Sequence, residues 1–220
     1  MRRPFAYIAL APTLIGLTAC QAEPNAAPDP NPQDQFWEAL SSHCGSAYAG
    51  KFVSSDAADA NFAGAELIAH VAQCSEERIA IPFHVSTMGE DDKVNWDRSR
   101  TWLITRTEAG LRLKHDHRHE DGSEDEVTQY GGDTADEGSA RKQDFPVDAF
   151  SIELFERVGY TASVTNVWSF EAVAAGSEGA GLAYQLERTV EGGAPEPRFF
   201  RVEFDASEEV KAPPAAWGWE

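Results

Sequence analysis

The sequence predicts a mainly β domain: an antiparallel barrel or strongly curved sheet preceded by one short helix, with a two-sheet β-sandwich as the alternative. Three observations carry this. Short segments alternate apolar and polar residues with period two, as in Ile79, Ile81, Phe83 and Val85, in Leu182, Tyr184 and Leu186, and in Phe200, Val202 and Phe204. Turns rich in Gly, Asp and Ser separate them. No regular exchange of strands and helices appears, which argues against a parallel sheet. A barrel would also hide the edges that so many strands create.

Taken in order, Asp34 is a candidate cap for a helix over 35–42 that places Phe36, Trp37 and Leu40 on one side. Residues 46–53 and 65–73 read as an antiparallel hairpin around the small, polar stretch SSDAADANFAG. Segment 78–85 has Ile79, Ile81, Phe83 and Val85 on one face and Arg78, Ala80, Pro82 and His84 on the other. Pro82 cannot donate to a ladder and so suggests an edge or a bulge. A polar loop is expected at 86–99, then strands at 100–106 and 111–119 joined by the turn Glu108-Ala109-Gly110. Further strands are expected at 126–130, 139–145, 164–173, 182–190 and 198–205; within 147–158 the spacing of Phe150, Ile152 and Phe155 fits a short helix or a strand, with the helix preferred. Tyr130-Gly131-Gly132-Asp133 reads as a turn, and 207–220 as a loosely ordered tail whose Trp217 and Trp219 are candidates to dock on the domain.

The N-terminus carries an address. Arg2 and Arg3 precede an apolar run of about 13 residues, 5–17, short of the roughly 20 needed to span a bilayer. The run ends in Leu17-Thr18-Ala19-Cys20. This resembles the lipobox of bacterial lipoprotein signal peptides. The resemblance implies that 1–19 is removed, that Cys20 becomes the acylated N-terminus, and that the protein contacts the membrane through this lipid anchor. More than one long acyl chain makes such anchoring stable. Gln21 rather than Asp after the cysteine leans toward the outer membrane, with the domain in the periplasm; secretion after ordinary signal cleavage is the alternative. Residues 20–35, with Pro24, Pro28, Pro30 and Pro32, read as a tether.

With Cys20 lipidated, Cys44 and Cys74 remain as an even pair, which in an oxidising compartment reads as a disulfide. It would close a loop of roughly 30 residues and contribute about 3–4 kcal/mol in the chain-entropy model.

The chain has 220 residues, 37 acids against 18 Lys and Arg, and a formal net charge of −19. The basic residues are scattered, so no phosphate-binding patch forms and nucleic acid is not an expected partner. With 42% hydrophobic residues a packed core is attainable. No Gly-x-Ser-x-Gly elbow and no spare cysteine offers a nucleophile, so nothing marks the chain as an enzyme.

The most unusual segment is LRLKHDHRHEDGSEDE, 111–126. On a strand Leu111, Leu113, His115, His117 and His119 share a face. Neighbouring imidazoles would stand about 6–7 Å apart at Cβ, and His115 about 13 Å from His119, so the three cannot share one ion on a regular strand. A divalent metal such as zinc would use His115 with His117, or His117 with His119, plus ligands from elsewhere. The other readings are a polar wall near a barrel mouth, and a ligand-contacting or catalytic role.

Two resemblances bear on the domain. FWEALSSHCGSAYAGKFV (36–53) is similar to the start of lipocalin-like (calycin) β-barrels. The strings at 78–85, 99–132 and 200–205 resemble a group of uncharacterised bacterial secreted proteins, over most of 36–206. The second implies one domain over 36–206 that includes the histidine strip, and it transfers no activity. The expected function is non-enzymatic, either small-ligand binding or an envelope-structural role. The alternatives are a metal-binding protein using the histidine strip, and a protein-interaction module with an envelope partner.

Overall fold

A computed structural model describes residues 31–62, 64–89 and 93–220. The signal segment 1–19, Cys20 and the tether up to Pro30 lie outside the described residues.

The domain is an antiparallel sheet nearly closed into a barrel. Its strands are β1 (Ala47–Phe52), β2 (Leu67–His70), β3 (Gln73–Cys74), β4 (Arg78–Met88), β5 (Val94–Thr107), β6 (Gly110–His117), β7 (Tyr130–Asp133), β8 (Lys142–Pro146), β9 (Val167–Val173), β10 (Gly181–Arg188) and β11 (Arg198–Asp205). Around the barrel the order is β1, β2, β4, β5, β6, β7, β8, β9, β10, β11, with β3 paired to β4 alone. Every strand on this path follows its chain predecessor, and β11 returns to β1 through Gly50↔Phe204 and Phe52↔Val202. The weak join is between β7 and β8, which meet at one bridge, Gly132 to Val147. The Asp148 N–H donates to the Gly131 carbonyl at 3.0 Å beside it.

Helix α1 (Pro32–Ser41) covers one end of the barrel and buries Phe36, Trp37 and Leu40. It starts earlier than the expected 35–42. Asn31, not Asp34, caps it by accepting from the Gln33 N–H, and Pro32 takes the first helical position, where its missing donor costs nothing. The last residues of the expected tether, 31–35, therefore belong to the helix and its cap. Asp34 instead pairs with Arg106 at 2.6 Å. Helix α2 (Ala149–Val158), capped by Asp148 and ended by Gly159 in the left-handed region, packs at the opposite end.

Cys44 and Cys74 form a disulfide with Cα atoms 6.2 Å apart. Between them β1 and β2 pair from Ala47↔His70 to Gly50↔Leu67, the hairpin expected around SSDAADANFAG.

Several expectations are corrected. Residues 86–88 and 94–99 are strand, not loop: β4 and β5 run past the barrel as a hairpin whose last pair is Met88↔Val94. That extension carries no buried apolar face, which is why alternation did not reveal it. Tyr130–Asp133 is strand β7, not a turn. Its glycines admit the neighbouring backbones: a Cβ on Gly131 would lie 1.9 Å from the Leu113 carbonyl, and one on Gly132 1.8 Å from that of Pro146. Pro82 sits in a central strand. The Ala72 N–H reaches the Ala80 carbonyl, and Pro82, facing the same way, falls in the gap between β2 and β3, where no donor is required.

The C-terminal residues form a strap, not a loose tail. The Val210 N–H donates to Ala47, the Trp217 N–H donates to Arg98, and Arg98 Nη1 donates to the Ala215 carbonyl at 2.7 Å. The Trp219 indole donates to Asp116 at 2.7 Å, under the Arg78 guanidinium.

The barrel interior is filled by side chains. Trp102 lies between Phe83 and Tyr184, with centroid distances of 4.8 and 4.4 Å, in stacked geometry. Below this stack Ile79, Ile81, Ile104, Leu113, Phe145 and Phe170 are fully buried.

Candidate functional site

Above the aromatic stack, at the end opposite α1, the barrel opens into a mouth. The C-terminal end of β6, the start of β7, the end of β10 and the start of β11 meet there. A cavity of about 220 Å³ is lined by Phe62, Phe83, Arg100, Trp102, His115, His117, Tyr130, Tyr184, Leu186 and Phe200, with Asp59 and Arg198 at its rim. A second of about 360 Å³ shares His117, Tyr130, Tyr184 and Leu186 with it and extends toward Asp125, Tyr160 and Asn166.

Strand β6 delivers two of the three strip histidines to the inner face, as alternation predicted. His115 is buried. Its Nδ1 lies 3.0 Å from the Tyr130 carbonyl and its Nε2 lies 2.7 Å from the Tyr184 hydroxyl. A carbonyl only accepts, so Nδ1 carries the proton and Nε2 accepts from Tyr184. Burial pushes the His115 pKa down to about 3, and the neighbouring His117 adds to this. His117 has Nε2 at 3.2 Å from the Tyr130 hydroxyl. Its pKa falls to about 4, first by burial and then by the charge of Arg100. Burial raises Tyr130 to about 12 and Tyr184 well above the usual tyrosine value. The His–Tyr wall is therefore neutral at pH 7.

His119 is not part of it. β6 ends at His117, and the chain turns through Asp121-Gly122, where the Gly122 N–H donates to the His119 carbonyl. The His119 ring is exposed, 3.9 Å from Asp125. Among the described residues no group of three or more His, Cys, Asp or Glu side chains is placed to hold a metal. The zinc pairs considered from the sequence meet two obstacles: both nitrogens of His115 are engaged, and the turn carries His119 away from His117.

Arg100 is the residue that sequence inspection passed over. Between Phe83↔Arg100 and Val85↔Asp97 the register of β4 and β5 shifts, so that His84 alone faces Arg98 and Ser99. This bulge reverses the alternation of β5. Arg100, on the regular side of the bulge, keeps the inner face of Trp102, while Arg98, beyond it, turns to the C-terminal strap. Two traces of the inward arginine stand in the sequence: the charge cluster Asp97-Arg98-Ser99-Arg100, and the period-two spacing of Arg100 from Trp102 and Ile104. Arg100 pairs with Asp97, three residues before it, through Nη1, and sits opposite His117 across β5 and β6. Desolvation opposes ionisation of Asp97, but Arg100 and Ser99 together hold its pKa below the usual carboxylate value.

Residues 53–62 cross the mouth, with Ala58, Asp59 and Phe62 against the cavity. Arg198 holds this segment through Asp59 and through Asp56 at 3.0 Å. Phe62 on this segment packs against Phe52 and Phe200 at 6.1 and 5.7 Å.

His84, on the outer face, is fully buried, and neither ring nitrogen has a hydrogen-bond partner among the described residues. It packs edge-on against Trp96 at 6.3 Å. Burial lowers its pKa to about 4, helped by His70 and Arg98.

Compared with known proteins, the chain matches no family model, no curated sequence and no solved structure.

Proposed function

We propose that the protein is a non-enzymatic small-ligand-binding barrel whose site is the mouth. One observation carries this: the barrel is packed solid below Trp102 yet opens above it into a cavity of about 220 Å³, whose wall combines aromatic rings with an arginine and two neutral histidines. Small-molecule sites have this composition, mostly apolar with a few placed polar groups. A protein-interaction module needs no such opening. The test is ligand-observed NMR with a library of small fragments, on wild type and on Leu186→Trp, which fills the space shared by both cavities. Hits that bind wild type and fail on Leu186→Trp support the site. No hits, or hits indifferent to the substitution, refute it.

We further propose that the domain is held at the bacterial envelope through lipid on Cys20, with the barrel in the periplasm. Arg2 and Arg3, the short apolar run and Leu17-Thr18-Ala19-Cys20 support this, and so does the disulfide, which suits an oxidising compartment. Cys20→Ser should abolish incorporation of labelled palmitate and release the protein from the membrane fraction. Unchanged labelling and fractionation would refute it.

A further inference from the structure

Resting on the mouth as a ligand site, we propose that its ligand is a compact aromatic or similarly flat molecule bearing one carboxylate, with the acid group on Arg100 and the flat body against Trp102, Tyr184 and Phe200.

Charge gives the first reason. The chain has an excess of 19 acids, yet β5 presents an arginine to the barrel interior, on the face that carries Trp102 and Ile104. A guanidinium carries five N–H donors in a fixed fork that matches a carboxylate. Among the described residues Arg100 spends one nitrogen, Nη1, on Asp97 and makes no other hydrogen bond, which leaves Nε and Nη2 for a second acceptor. The other cation at the mouth, Arg198, is already enclosed by Asp56 and Asp59. Arg100 is therefore the cation open to a ligand.

The histidines give the second reason. Beside Arg100, His117 is held neutral and already engaged by Tyr130 through Nε2, so Nδ1 is its remaining polar atom. His115 has no free nitrogen. The wall thus offers one concentrated positive centre and little else that discriminates between ligands by hydrogen bonding.

Size gives the third. A dry cavity of roughly 150 Å³ accepts benzene, and this one is about 220 Å³ and open at the top. One ring with one acid group matches that volume. The negative surface opposes the approach of an anion, but at 0.15 M salt this field is screened beyond roughly 8 Å and does not act on contact at Arg100.

The experiment is calorimetric titration of the full chain at pH 7.5 with benzoate, benzyl alcohol and benzylamine, which share a ring and differ in charge. Wild type, Arg100→Gln and the charge-balanced double variant Arg100→Gln/Asp97→Asn are compared, with thermal melts to establish that each is folded. The expected result is benzoate binding at least tenfold tighter than either other probe. Both variants should lose at least tenfold in benzoate affinity and change less than threefold for benzyl alcohol. Should benzyl alcohol or benzylamine bind as tightly as benzoate, or should the folded double variant retain benzoate, the carboxylate assignment is overturned while the mouth stands as a ligand site. Should none of the probes bind wild type, the assignment also fails, and the fragment screen decides separately whether the mouth binds anything. If neither variant folds, Arg100→Lys replaces them: loss of the fork without loss of charge should weaken benzoate at least threefold, and unchanged affinity overturns the assignment.

Discussion

Tyr184 donates its hydroxyl proton to Nε2 of His115 across 2.7 Å of barrel interior, tying β10 to β6. Tyr48 stands in the same relation to His43 at the helix-covered end: the ring lies 2.9 Å from the hydroxyl through Nδ1 and 2.9 Å from the Val173 carbonyl through Nε2. Each imidazole gives its one proton to a carbonyl and needs the tyrosine as donor. Tyr184→Phe removes that donor and leaves a buried acceptor unpaired, a cost of about 1–3 kcal/mol. Urea denaturation should show the loss, and an unchanged midpoint would mean that water replaces the hydroxyl.

Acid should weaken the fold well before carboxylates titrate. His43, His84, His115 and His117 all have pKa values lowered by burial, His84 and His117 to about 4 and His115 to about 3. The unfolded chain binds protons on these groups below about 6.5, while the folded chain binds them only at lower pH, at about 4 for His84 and His117 and about 3 for His115. Stability therefore rises with pH through this window, is complete above about pH 7, and is lost progressively as pH falls from 6.5 toward 4. Urea midpoints at pH 7.5, 5.5 and 4.5 should fall in that order. His84→Leu, which removes an imidazole with no hydrogen bond to lose, should flatten the dependence and stabilise more at pH 5 than at pH 7.5.

The strap should protect β5 and β6. Asp116 is buried and accepts from Arg118, Gln129 and Trp219. Trp219→Phe keeps the ring near Arg78 but removes the indole donor, a charge-assisted bond worth about 1.5–3 kcal/mol. Amide exchange should accelerate around Arg98 and Asp116 in this variant and stay unchanged in β9 and β10.

Gly132→Ala tests the weak join. Its Cβ would meet the Pro146 carbonyl at 1.8 Å, so β7 and β8 must separate. The expected result is a loss of several kcal/mol or failure to fold. Gly159→Ala, where space is open but φ is +82°, should cost roughly 1 kcal/mol.

Removing the Cys44–Cys74 bridge in a Cys44→Ser/Cys74→Ser variant should cost about 2–5 kcal/mol. Reductant should then leave the melting temperature of the variant unchanged and lower that of wild type.

Much of this fold was legible in the sequence because burial there follows period two. Ile79 to Val85, Leu182 to Leu186 and Phe200 to Phe204 each have one face in the core, and that pattern survives any arrangement of neighbours. The disulfide was legible from parity, and its place from spacing. What alternation could not reveal was whatever breaks it. The bulge opposite His84 inverts β5 before Arg100 and so hid the outward course of Arg98, whereas Arg100 shares the parity of Trp102 and was masked only by being charged. Gly131 and Gly132 look like a turn because glycine gives no face to read, and only the nearness of Leu113 and Pro146 explains them. The strap was hidden because Trp217 and Trp219 dock on polar groups supplied by residues more than a hundred positions away. The histidine strip was visible at once, but the role of each ring depends on Tyr130 and Tyr184, whose approach no local pattern records.

The order of strands around the barrel has a temporal consequence. Since each strand lies beside its predecessor, the sheet can grow as the chain emerges from synthesis, one hairpin at a time. The Cys44–Cys74 loop is complete within the first third of the chain and can be sealed before most strands exist. Closure differs: β1 must wait with one edge open until β11, about 150 residues later, arrives to pair with it. During that interval β1 and the newest strand both present unpaired backbone, the state most exposed to aggregation. A chain cut short before Arg198 would remain in it permanently.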